Sequence, residues 1–332
     1  MNFPPQTGQH CLVSPEQSEA LLAAVQTRTI DTKNGIFGPT SASWKINRES
    51  ALFLGAGRAA LLQLAHPWVA TALVDHSNLM AQPIARFHNT FRIVFTMIFG
   101  SLDQALASAR HLYKLHTTIQ GELPETVAAY QRGSHYEANE VAALRWVFAT
   151  LIESAVIAYE CVLQPLTASE LAAYYADSKT LASLFGIPTS ELPEDWPAFL
   201  NYCRQMEQSK ALGVNEKART MAHNLLAGAG SWIHPPHWYR SLTASWLPDH
   251  LRHDFSLEFG AHEQQSVIRA KRLLPRIYRR LPSTVRYVGP YHEATARLNK
   301  HQPGWITRSS NRFWIGQPQL PFADDSASPS EA

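Results

Sequence analysis

The chain has 332 residues, 45% of them hydrophobic and 17% charged, which is enough apolar material for one large core and fewer charges than the usual quarter. A formal net charge of +2 gives no reason to expect nucleic acid as a partner. Three cysteines, Cys11, Cys161 and Cys203, without a C-x-x-C pair argue against a disulfide framework or a structural zinc site and fit a reducing, cytoplasmic setting.

Residues 1–30 read as a loosely ordered lead-in. The first stretch is polar, contains Pro4 and Pro5, and lacks the apolar run of a secretory signal. The first strong helix is predicted over residues 50–65, with Ser50 as its cap and Gly55 and Gly57 inside it. Each glycine costs about 1 kcal/mol relative to alanine in a helix, so two of them suggest close approach of another helix, the commoner cause, or of a flat ligand. Pro67 pushes His66 out of helical geometry, and a second helix follows over 68–76. Asp75 and His76 read as a helix-end network; His66 stays open between such a network and a site role.

Arg86 and Thr90 stand at i and i+4 and share a helix face. A cation beside a hydroxyl can hold a propionate or polarise dioxygen; a surface arginine next to a threonine bonded to its own backbone is an equal alternative. The cleanest helix is predicted over 101–120, opened by a Ser101–Gln104 capping box and closed by Gly121. His116 lies on its apolar stripe with Leu102, Leu106, Ala109 and Leu112. A lone histidine there is more often a hydrogen-bonded core residue. The alternative is an axial ligand to haem iron, which neutral imidazole suits and for which helix bundles supply the slot.

Residues 139–163 are apolar on nearly every face, interrupted by Arg145, Glu153, Ser154 and Glu160. This predicts a buried central helix, not a membrane span, in which Glu153 needs a partner. Further helices are predicted over 169–185, opened by a Thr167–Glu170 capping box, and over 195–212, 216–227, 236–243 and 262–281. His234-Pro-Pro-His237 reads as a kinked surface loop rather than a ligand pair. Arg269, Lys271, Arg272, Arg276, Arg279 and Arg280 form a basic helix face, interrupted by Pro275. It is most simply solvated, with contact to phosphate or an anionic membrane surface as the sharper reading. Residues 301–332 read as a mobile tail. With strand signals nearly absent, the fold class is all-α: a single large helical domain over 31–300, built around a buried central helix.

No H-E-x-x-H, G-x-S-x-G or Gly-rich phosphate loop occurs. A series of motifs in order does. Gly57-Arg58-Ala59-Ala60-Leu61-Leu62-Gln63-Leu64-Ala65-His66-Pro67 is followed by Asp75-His76-Ser77, then Arg86-x-x-Asn89-Thr90. After these come Phe99-Gly100, His116-x-x-Ile119-x-Gly121, Tyr136-x-Ala138, Trp146-Val147-x-Ala149-Thr150-Leu151 and Ala158-Tyr159-Glu160, with Leu247-Pro248 and Leu251-Arg252 further on. The series resembles the latex-clearing-protein (rubber oxygenase) and mycophenolic-acid-pathway oxygenase domain family over about residues 35–300.

The resemblance implies an all-helical domain that binds haem b. Studied relatives use dioxygen to cleave carbon–carbon double bonds in isoprenoid chains, giving carbonyl products. By position His116 matches the proximal histidine and metal ligand, and Arg86 and Thr90 match polar residues beside the haem; His66 is a further candidate for the cofactor pocket. Where rubber oxygenases carry a lysine able to cap the iron, this chain has Asn89, which speaks against rubber itself as the substrate. The expected function is a haem b-dependent oxygenase acting with dioxygen on a small hydrophobic alkene, in a slot lined by the 51–74 and 141–163 segments. The alternatives are a non-catalytic carrier of haem or an apolar ligand, and a helical interaction protein working through the basic 269–280 face.

Overall fold

The computed structural model describes residues 11–76, 83–230 and 234–322. In chain order the helices are α1 (Pro15–Arg28), α2 (Ala42–Asn47), α3 (Ala56–Leu64), α4 (Pro67–His76), α5 (Pro83–Phe99), α6 (Leu102–His116), α7 (Val141–Val162) and α8 (Ala168–Leu184). There follow α9 (Trp196–Gln208), α10 (Glu216–Ala227), α11 (His237–Ser245), α12 (Asp249–Asp254), α13 (Ala261–Tyr278), α14 (Ser283–Arg286), α15 (Gly289–Leu298) and α16 (Trp305–Ile315). Among the described residues the sole sheet is a short antiparallel pair, β1 (Gln120–Glu122) and β2 (His135–Glu137), with Gly121 opposite Tyr136. The fold is all-α, as its helical periodicity predicts.

The apolar helix α7 occupies the centre, with buried Leu144, Trp146, Phe148, Ile152 and Val156 distributed around its axis. Among the described helices α7 alone is long and apolar enough to cross a membrane. Its protein neighbours account for that composition: it packs on α3, α8, α9 and α13. Trp146 also donates its indole N–H to the Leu62 carbonyl at 3.0 Å. Burying a tryptophan with its N–H satisfied secures both the apolar and the polar part of the ring.

The helix expected over 50–65 is broken. Ser50–Leu54 forms a 3₁₀ turn and α3 starts after Gly55. The cause is close packing: a Cβ at Gly55 would stand 2.4 Å from the Ser154 carbonyl oxygen of α7, and one at Gly57 would stand 2.6 Å from the Thr243 hydroxyl of α11. Helix contact, not a flat ligand, explains both glycines. Gly55→Ala is therefore expected to destabilise the protein by about 1–3 kcal/mol through overpacking; a denaturation midpoint equal to that of the wild type would contradict the close approach.

Helix α6 has the expected Ser101–Gln104 capping box but ends at His116 instead of near residue 120. Thr117 and Thr118 turn their hydroxyls back onto the Lys114 and Leu115 carbonyls, and the chain then enters β1. Gly121 is a strand residue, not a helix cap; its lack of a side chain makes room for the Tyr136 ring, whose hydroxyl would lie 2.6 Å from a Cβ there.

Within the lead-in and the tail, the described stretches 11–30 and 301–322 are helical and packed, while residues 1–10 and 323–332 lie outside the described residues. Ser14 forms a capping box with Gln17 and starts α1, which packs on α6 and α8. Beyond residue 301, α16 lies against α5 and α15. The buried Glu293 carboxylate accepts from Asn311 Nδ2 at 2.6 Å and from the Leu320 N–H at 3.0 Å. Gln104 donates to the Pro321 carbonyl at 2.8 Å. Satisfying that carboxylate holds the segment against the core, a long-range device without a local sequence signal. Pro275 also fails to interrupt: α13 continues through it to Tyr278, giving up the one bond that an N–H at this position would make to the Lys271 carbonyl.

Candidate functional site

His116 is the last residue of α6 and is half-buried. Among the described residues no hydrogen bond or ion pair reaches its ring. Burial, with a smaller contribution from the positive charge of Arg86, pushes its pKa down to about 4. At neutral pH the imidazole is therefore uncharged, with a nitrogen lone pair free to bind a metal. The satisfied core histidine expected from periodicity alone is not what the structure contains.

Arg86 stands in the first turn of α5, which packs along α6. It is half-buried, and burial lowers its pKa from the usual arginine value. Among the described residues it has no acidic partner and no hydrogen bond. A partly desolvated cation without a counter-charge favours an anionic ligand. Thr90 donates its hydroxyl proton to the Arg86 carbonyl at 3.1 Å, so its side chain can only accept. Half of the bland alternative thus holds for Thr90, while Arg86 is not a plain surface arginine. Asn89 is exposed and accepts from Arg92.

His66 sits at the bend between α3 and α4 and is 3% exposed. Its Nε2 lies 3.2 Å from the Tyr130 hydroxyl, its Nδ1 is buried without a partner, and burial pushes its pKa down to about 4. Among the described residues no hydrogen bond, ion pair or ring contact joins His66 to His116 or Arg86. Arg86 is near enough to His116 for its charge to act on the ring, and His66 clusters with Trp68 and Tyr130. His76 and Asp75 form the expected helix-end network: His76 Nε2 lies 2.9 Å from the Gln120 carbonyl, and Asp75 accepts from the Tyr136 hydroxyl at 2.9 Å.

An aromatic wall, not foreseen, includes Phe87, the residue that follows Arg86 on α5. Phe53 stacks on Trp314 with ring centroids 3.9 Å apart and 5° between planes. Its ring lies 5.4 Å from that of Phe87 and 4.6 Å from that of Phe91. The signal was available for α5, where Phe87, Phe91, Phe95 and Phe99 recur every four residues; Trp314, from the segment expected to be a tail, had none. The expected slot between the 51–74 and 141–163 segments is closed where Gly55 meets Ser154.

The family described as ER-bound oxygenase mpaB/B'/Rubber oxygenase, catalytic domain, matches residues 44–287. The chain belongs to this family. No curated protein and no solved structure matches it.

The match runs from α2 to α14 and includes His66, Arg86, Thr90 and His116. In this oxygenase domain the partner that Glu153 requires is Arg58, itself 3% exposed. Arg58 Nη2 lies 2.7 Å from both Glu153 Oε2 and Glu207 Oε1. The same guanidinium donates to Ser154 Oγ at 3.0 Å and to the Trp246 carbonyl at 3.1 Å. One arginine thereby ties α3 to α7, α9 and the end of α11. Glu153 signalled a missing partner in the sequence; Glu207 did not.

Two carboxylates share one cation, so one of them tends to keep its proton. Burial raises the Glu207 pKa from 4.5 to about 7, Arg58 works against that rise, and the Glu153 charge adds to it. A raised folded pKa contributes stability that is fully present below pH 4.5 and is lost as pH rises through about 7. Glu207→Gln mimics the protonated form. Its stability relative to wild type should climb across that window in urea titrations at several pH values; parallel curves would show that Glu207 does not hold a proton.

Proposed function

We propose that this oxygenase-family chain depends on haem b and acts with dioxygen on a hydrophobic alkene. The observation that supports the reading most is a neutral His116 within the field of the Arg86 cation, neither of them with a hydrogen-bond or ion-pair partner among the described residues. These are the groups that haem requires: an imidazole nitrogen for the iron and a positive charge for a propionate carboxylate. The residues present therefore fit the group.

When bound, haem supplies the oxygen chemistry. The work of the chain's own residues is orientation and exclusion of water. His116 would hold the iron through a ring nitrogen and Arg86 would hold an anionic group. Thr90, its proton already committed to the Arg86 carbonyl, would accept a hydrogen bond rather than give one. The aromatic surface of Phe53, Phe87 and Phe91 suits an apolar chain, and isoprenoid alkenes match it in character. Cytoplasmic placement belongs to the same proposal and rests on the three unpaired cysteines.

Oxygen uptake by the haem-loaded protein with a panel of terpenoid alkenes tests the activity. Substrate-dependent uptake with a carbonyl product detected by mass spectrometry is expected. Haem bound tightly, with no uptake for any alkene in the panel, would instead identify a carrier.

A further inference from the structure

Away from His116, the amino ends of α11 and α13 bring three metal-binding side chains together. His237 opens α11; His262 and Glu263 lie in the first turn of α13. His237 Nε2 lies 3.4 Å from Glu263 Oε1, and His262 Nδ1 lies 3.3 Å from the same oxygen. All three donor atoms fall within 4.8 Å of one another. Two ligands each 2.0–2.1 Å from a tetrahedral zinc ion stand roughly 3.3 Å apart, so both histidine–glutamate distances already match those of a shared ion.

The orientation of the groups matches as well. Glu263 Oε2 accepts the Gly260 N–H at 2.9 Å as part of the helix cap, which turns Oε1 toward both imidazoles. Ser241 Oγ donates to the His237 carbonyl at 3.0 Å, so toward His237 Nδ1, 3.5 Å away, it can only accept. With Nδ1–H donating to Ser241, the Nε2 lone pair of the neutral ring would face Glu263 Oε1. A lone pair facing a carboxylate oxygen is unfavourable unless a proton or a cation lies between them. On the open side is a cleft of 330 Å³ lined by His237, Trp238, His262, Gln265, Ser266 and Arg269.

We propose that His237, His262 and Glu263 form a site for a zinc-type divalent ion, with its remaining coordination position open to this cleft. Two imidazoles and a carboxylate with one free position is a donor set that zinc accepts. The free position would take water or a small anion, with Arg269 in the cleft wall to favour the anion. The ion would also pin α11 to α13. Helix α11 carries Tyr239, which accepts from the Gly57 N–H at 3.0 Å and donates to the Phe53 carbonyl at 3.1 Å, so the clamp reaches the 3₁₀ turn of the aromatic wall. The site is independent of haem: it shares no residue with His116 and Arg86.

The test is calorimetric titration of Zn²⁺ into chelator-treated full-length protein. One ion per chain is expected in the wild type. Binding should weaken at least about tenfold in His237→Ala and in His262→Ala. His253→Ala, which removes an exposed histidine elsewhere, should bind as the wild type does. Glu263→Gln keeps an acceptor for Gly260 but loses the charge, and should also weaken binding. His262 is 79% exposed in its side chain, so its replacement leaves the fold intact. A flat titration, or wild-type affinity in both histidine variants, would overturn the proposal and leave a protonated histidine–glutamate ion pair in its place.

Discussion

Replacing Arg58 with alanine is expected to cost about 3–5 kcal/mol of folding stability, the loss typical of breaking a buried ion pair from one side. The reason lies in what remains. Arg58 bonds Glu153, Glu207, Ser154 and the Trp246 carbonyl at once, and its removal leaves two largely buried carboxylates side by side. Their only relief is protonation, so the loss should be smaller at pH 5.5 than at pH 8. Arg58→Lys keeps the charge but cannot reproduce the forked contacts, and should fall between alanine and wild type. Urea denaturation of the three proteins at both pH values gives the comparison. A loss below about 1 kcal/mol, as for an exposed pair, would mean that the network does not tie the helices together.

Acid is expected to unfold the protein well before its carboxylates are fully protonated. His66 and His116 both have pKa values pushed down to about 4 by burial. A histidine with a depressed folded pKa contributes stability that is present above 6.5 and is lost as pH falls through the folded value, here about 4. For fully buried His66 that gap corresponds to roughly 3 kcal/mol; half-buried His116 contributes less. Glu207 works in the opposite direction between pH 4.5 and about 7, but it is one group against two. The denaturation midpoint should therefore drop between pH 6.5 and 4. In His66→Gln, which stays neutral and can still meet the Tyr130 hydroxyl, the drop should be shallower. An unchanged acid limb in that variant would show that His66 is not the group being charged.

What was legible in the sequence follows the range of the forces involved. The capping boxes at Ser101 and Thr167 are local, and both helix starts stand where those residues place them. The apolar periodicity of α7 reports burial on every side, and α7 is the core helix. The end of α6 was not legible, because it is decided by pairing of Gly121 with Tyr136 across a separate segment. Nor was α16 legible as part of the core: its anchor is Glu293 bonding Asn311 and Leu320, a contact between side chains and backbone without periodicity. At the candidate site, the i and i+4 spacing of Arg86 and Thr90 was readable. The proximity of Arg86 to His116 depends on how α5 packs on α6. His237 and His262 are far apart in sequence and on different helices, so the Pro-Pro run beside His237 suggested a surface loop and hid a cluster.

If His116 holds haem iron as proposed, the absorption spectrum of the purified, haem-supplemented protein shows it most directly. A Soret band is expected that shifts on adding carbon monoxide and that is lost or displaced in His116→Ala, a variant that removes no hydrogen bond from the described fold. A colourless protein after haem supplementation, or a spectrum identical in His116→Ala, would contradict it.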